Sequence, residues 1–173
     1  MKADEYNDDL NQFLSDYNYQ PELTEKLDCL GVSSISQEIL NEIVLWKVNR
    51  YVSISNSLLE SIDRVKKLKQ GEHNKASLLI ELLLKARGVD LAMASTILRF
   101  RNPEVFQIID RHAYRAVTGT KLVLYTSTSA DKKISVYFDY LEKLIELCKK
   151  QGLRFETVDR LLYLFDKRIN GKL

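Results

Sequence analysis

Residues 85–115 read KARGVDLAMASTILRFRNPEVFQIIDRHAYR, and the order of breaks and caps in this stretch decides the fold. An apolar helix runs to Ala86, stops over Arg87-Gly88-Val89-Asp90, and a second apolar run follows over 91–100. That order predicts a helical hairpin with a very tight turn. Gly88 falls where a helix C-terminus needs a left-handed residue, and Asp90 can cap the helix that follows. Asn102-Pro103 ends that second helix, because proline disfavours a helical residue before it and pre-sets the first turn of what comes next. Apolar Val105, Phe106, Ile108 and Ile109 then carry the chain across buried surface to Asp110, which opens a further helix through Val117.

Outward from the hairpin, helical periodicity dominates. Leu10, Phe13, Leu14 and Tyr17 predict a short docked helix near the start. Pro21 opens another over 23–30, and Gly31 stops it. Ser36 caps a helix running to about Tyr51, with Ile39, Leu40, Ile43, Val44 and Val48 on one face. Two amphipathic helices follow, over 56–69 (Leu58, Leu59, Ile62, Val65) and 74–86. The second is apolar nearly all round and is expected to be central, as the first arm of the hairpin. His73, in a polar turn without other His or Cys nearby, reads as a surface residue.

Beyond the Asp110 helix, 122–125 is an apolar loop or edge strand, and 126–130 a Ser/Thr-rich linker. A long helix over 131–151 turns Ile134, Tyr137, Phe138, Leu141, Leu144, Ile145 and Cys148 inward, and Gly152 ends it. A last helix over 156–169 buries Val158, Leu161, Leu162 and Phe165 and exposes Arg160, Lys167 and Arg168. There is no internal repeat. The expectation is an all-α protein forming one helical domain over 1–173.

A chain of 173 residues can bury roughly 70 per cent of its unfolded surface, so no disulfide or metal staple is required. The two cysteines, Cys29 and Cys148, form no CxxC pair and read as buried free thiols in a reducing compartment. Two cysteines and two histidines are too few for an iron-sulfur cluster and make zinc a poor fit, so no metal or cofactor is expected. The acidic start is no signal peptide, and no apolar run approaches membrane-spanning length, which makes a soluble cytoplasmic protein the expectation. Phosphate-cradling glycine loops, HExxH and the nucleophile elbow are all absent.

Charge is unevenly placed. Residues 1–28 hold eight acids against two bases, a balance of −6, whereas 85–121 hold seven bases against three acids, a balance of +4. A basic patch beside a hairpin suits a phosphate-backbone binder, although solvated helix faces would give a similar pattern.

Taken with the downstream Asp110-x-His112-x-x-Arg115, the hairpin resembles the helix-hairpin-helix DNA glycosylase superfamily. Its members pair Leu-Pro-Gly-Val-Gly-x-x-Thr-Ala with Asp-x-His-x-x-Arg. Asp110, His112 and Arg115 match the second motif in full. In the first, Gly88, Val89 and Ala94 fit, while Arg87 replaces the proline, Asp90 the second glycine and Met93 the threonine. The resemblance covers residues 78–119, within a hairpin and catalytic-type segment of 74–119. It implies a helical bundle of the glycosylase type that binds duplex DNA, damaged or abasic, and removes a damaged or modified base.

The resemblance also puts Ala92 where bifunctional members carry a lysine nucleophile. No amine at 92 means no Schiff base to a sugar from that position, so the implied route is monofunctional, with Asp110 as the acid and water as nucleophile. Asp110 has a second, purely structural reading as a helix N-cap. The turn amides from Arg87, Gly88, Val89 and Asp90 to Leu91 would hold a backbone phosphate. Asp90 repels that phosphate unless it is occupied in capping, and Arg87 offsets it. His112 and Arg115 either steady the strand or pack under the site, Arg115 equally in an ion pair. Trp46 is the one tryptophan available to stack an extruded base, or else it widens a buried helix face. Two alternatives stand beside the enzyme: a non-catalytic helix-hairpin-helix DNA-binding module, and a helical interaction protein. Neither the excised base nor the oligomeric state is legible.

Overall fold

Eight α-helices and no strand make up the described residues of the computed structural model, 20–29, 35–48, 52 and 54–171. The chain divides between Tyr51 and Val52 into two compact units.

In the first unit, α1 (Pro21–Asp28) starts with proline in its first turn and buries Leu23. Ser36 caps α2 (Gln37–Lys47) by accepting the Ile39 N–H. Trp46 ties the two helices together. Its indole Nε1 donates to Thr24 Oγ1 at 2.8 Å, and its carbonyl accepts from Gln20 Nε2 at 3.2 Å. The expected apolar face of α2 is not buried: Leu40, Val44 and Val48 are all exposed. Cys29, expected inside, is exposed just after α1. The helix expected over 10–17, Gly31 and residues 49–51 lie outside the described residues.

The second unit is built around α7 (Ala130–Gln151), capped by Ser129 and ended by Gly152 in the left-handed region. Every third or fourth side chain of α7 is buried, from Ile134 through Tyr137, Tyr140, Leu141, Leu144 and Ile145 to Cys148. Against it pack α4 (Ser77–Lys85) and α6 (Arg111–Thr118), while α6 also packs on α8 (Val158–Ile169). Helices α3 (Asn56–Arg64) and α5 (Leu91–Arg101) close the core, where Ile80, Leu83, Leu98 and Phe106 are fully buried. Each such side chain contributes about 1.5–3 kcal/mol by leaving water.

Residues 122–125 form a loop, the first of the two forms expected for them. Two expectations fail in this unit, each because tertiary packing overrides a local pattern. Leu161 and Phe165 are exposed on α8, and the same helix instead buries Asp159 and Asp166. His73 is not on the surface: at 1% exposure it begins a short 3-10 turn, with its ring 5.3 Å from Phe138 and Nε2 3.1 Å from a Glu142 oxygen.

Burial pushes the His73 pKa below its ordinary value, with Glu142 opposing the shift only in part. The folded protein therefore holds this proton less firmly than the unfolded chain does. Stability is full above the unfolded value of about 6.5 and falls as pH drops below it, toward the lower folded value. Urea unfolding between pH 8 and pH 5 should show that fall in the wild type and a flatter profile in His73→Leu.

Candidate functional site

The hairpin forms as a direct result of its caps. After α4, Ala86 leaves the helix, the Val89 N–H returns to the Ala86 carbonyl at 3.2 Å, and Gly88 takes φ +81°, which a Cβ would oppose. Asp90 Oδ1 then accepts the Met93 N–H at 2.9 Å and starts α5. Its carboxylate is thus engaged in capping, the condition under which it tolerates a nearby phosphate.

Asn102 ends α5 and is itself buried. Its side-chain amide donates to the Val65 and Leu68 carbonyls at 2.8 and 3.0 Å, which fixes where the chain leaves the helix. A turn over 103–105 follows, and side chains satisfy backbone groups of the largely buried segment 106–109 after it. Ser95 Oγ of α5 accepts the Ile109 N–H at 3.2 Å. The Tyr137 and Tyr140 hydroxyls of α7 donate to the Gln107 and Ile108 carbonyls, both at 2.9 Å. Burial raises both phenols well above the ordinary tyrosine range, and for Tyr140 the charge of Asp110 adds to the effect. Both therefore stay protonated donors.

This segment delivers Asp110 to the N-cap of α6. Oδ1 accepts the Ala113 N–H at 2.8 Å, and among the described residues no protein donor engages Oδ2. Asp110 lines two clefts. One, of 460 Å³, brings it together with the hairpin residues Val89, Asp90, Leu91 and Ala92, with Arg111, with Leu122, Leu124 and Tyr125, and with Lys133 of α7. The other, of 310 Å³, is formed with Ile108 and the α8 residues Asp159, Arg160, Tyr163 and Leu164. Ala92 thus shares a cleft with Asp110 and presents a methyl group there. The one amine on that lining is Lys133, whose Nζ donates to the Thr126 carbonyl at 3.3 Å.

His112 and Arg115 line neither cleft. Both turn onto Asp166, a fully buried carboxylate of α8. His112 Nδ1 lies 2.7 Å from Oδ2. Arg115 donates through Nε at 3.0 and 3.1 Å and through Nη2 at 2.8 Å, and Asn170 Nδ2 adds a bond at 2.7 Å. A carboxylate so surrounded stays ionised: the Arg115 guanidinium, then Asn170 and His112, hold its pKa well below the ordinary range. The geometry realises the ion-pair reading of Arg115 and clamps the helix that Asp110 opens onto α8.

The basic balance of the segment shrinks on folding. Lys85 pairs with Glu81, Arg99 with buried Asp159, Arg101 with Asp63 and Arg115 with Asp166. Arg87, Arg111 and Lys121 remain exposed without an ion-pair partner among the described residues. Arg87 and Gly88 are exposed at the turn, whereas Val89 and Leu91 are buried side chains whose contribution to a ligand would be through the backbone. Trp46 belongs to the first unit.

Sequence reading missed Tyr125, Lys133, Asp159 and Asp166. Tyr125 ends a four-residue apolar run, Lys133 lies in the first turn of the helix after it, and neither these nor the acids belong to a motif. Among the described residues no cluster of His, Cys, Asp or Glu could hold a metal ion, and no helix is long and apolar enough to cross a membrane. No family model matches this chain, and no solved structure matches it.

Proposed function

We propose that this chain binds duplex DNA across the hairpin and its cleft, and that it removes a damaged or modified base by a monofunctional route. The observation that carries the reading is that Asp110, the hairpin turn and Ala92 line one cleft of 460 Å³. Ligand sites of about 300–1,000 Å³ are usual, so the cleft has room for an extruded nucleoside. Oδ2 of Asp110 is the group available for chemistry. As the glycosidic bond breaks, its electron pair leaves with the base and positive charge grows on the deoxyribose, which the carboxylate stabilises. Water attacks the same carbon and gives up its proton to the carboxylate.

Arg87, Arg111 and Lys121 would meet backbone phosphates, and the first turn of α5 offers amides without intrahelical partners. Charge reversal at Arg87 tests the contact. Arg87→Glu should weaken binding to damaged and undamaged duplexes alike by about tenfold at low salt, and lower the salt slope by about one. Unchanged affinity would remove the hairpin from the interface.

A second reading, a DNA-binding module without catalysis, is favoured by the methyl group of Ala92 in the cleft. It differs in one respect only, which is that no duplex would lose a base.

A further inference from the structure

The loop that closes the Asp110 cleft alternates strictly: Leu122 and Leu124 are half-buried against the core, while Val123 and Tyr125 stand 61% and 69% exposed. Its backbone is pinned at Tyr125. The Tyr125 N–H donates to Thr128 Oγ1 at 3.0 Å, its carbonyl accepts the Thr128 N–H at 3.0 Å, and Lys133 Nζ holds the next carbonyl, that of Thr126. Among the described residues no hydrogen bond or ring contact engages the phenol itself. Single exposed aromatic residues are common on protein surfaces. This one differs in combining a fixed backbone with an uncommitted ring, on the lining of a cleft that also holds a carboxylate, Arg111 and Lys133.

We infer that Tyr125 is the stacking platform of the cleft, its ring carrying a base turned out of the duplex while Asp110 meets the sugar and the cations meet the flanking phosphates. The inference rests on the cleft being a DNA site and adds which residue receives the base. A two-torsion aromatic on a rigid backbone loses little freedom when a base stacks on it, and the π face accepts any base. Trp46, the aromatic that composition singles out, has its indole N–H committed to Thr24 within the first unit.

The test compares binding to a duplex with one central adenine-cytosine mismatch, whose bases leave the stack readily, against the fully paired duplex. Wild type, Tyr125→Ala and Tyr125→Phe are measured, with thermal melting to show that each variant folds. Wild type should prefer the mismatched duplex. Tyr125→Ala should lose about tenfold of that preference while keeping its affinity for paired DNA, and Tyr125→Phe should retain it. Equal preference in wild type and Tyr125→Ala, or no preference in wild type, overturns the platform and leaves DNA binding standing. A wild type that binds neither duplex overturns the DNA reading and the platform with it.

Discussion

Asp110→Asn should abolish base release and leave duplex binding unchanged. Asparagine caps helices as well as aspartate does, so the Ala113 N–H keeps its acceptor and α6 keeps its start. What disappears is the negative charge facing the cleft. Removing one preorganised electrostatic group of this kind costs a rate of about 100-fold to 1,000-fold. The measurement is single-turnover release from whichever lesion duplex the wild type processes, with affinity for the same duplex measured in parallel. Asp110→Ala serves as the structural comparison, since it loses the cap as well and should melt lower by about 1 kcal/mol of stability. Retained release in the Asn variant would assign the chemistry to another group.

The second large effect is structural. Asp166→Ala should destabilise the second unit by about 3 kcal/mol or more, because it leaves the Arg115 guanidinium and His112 facing a site that held their counter-charge. Arg115 and His112 are themselves mostly buried, at 14% and 20% side-chain exposure, so water can screen them only in part. Urea unfolding gives the loss directly.

A pH series adds an independent signature. The Asp166 carboxyl is held far below its ordinary pKa, so the unfolded chain takes up this proton first as pH falls. The stability it provides is present above about pH 3.9 and declines below that, toward the folded value. Asp166→Ala should lack this acid limb. Because α6 starts at Asp110 and is held to α8 through this cluster, the variant should also lose any activity that depends on where Asp110 points.

The contrast between these two aspartates shows what a single sequence discloses. Asp110 and Asp90 were legible because capping is local: each accepts an N–H three residues ahead, and Gly88 and Gly152 adopt the left-handed turns that their positions demand. The hairpin, the break at Asn102-Pro103 and the inward face of α7 follow from the same short-range rules. Asp166 lies 51 residues from Arg115 and 54 from His112, and no periodicity links them. The spacing of Asp110, His112 and Arg115 gave no sign that the latter two both turn onto a carboxylate of α8. His73 was misread for the same reason, since a polar turn looks solvated until a remote element covers it. Tyr125 gave no signal at all, because its role depends on which helices surround a coil.

The most direct measurement is equilibrium binding of the full chain to a duplex carrying a stable abasic-site analogue, beside an undamaged duplex, at about 50 and 200 mM salt. Arg87, Arg111, Lys121 and Lys133 are the cations placed at or near the hairpin cleft, and if each meets a phosphate the affinity should fall by about 100-fold across that range. That fall is expected together with tighter binding to the abasic duplex at both salts. No binding at the lower salt, or an affinity indifferent to salt, would contradict the DNA reading.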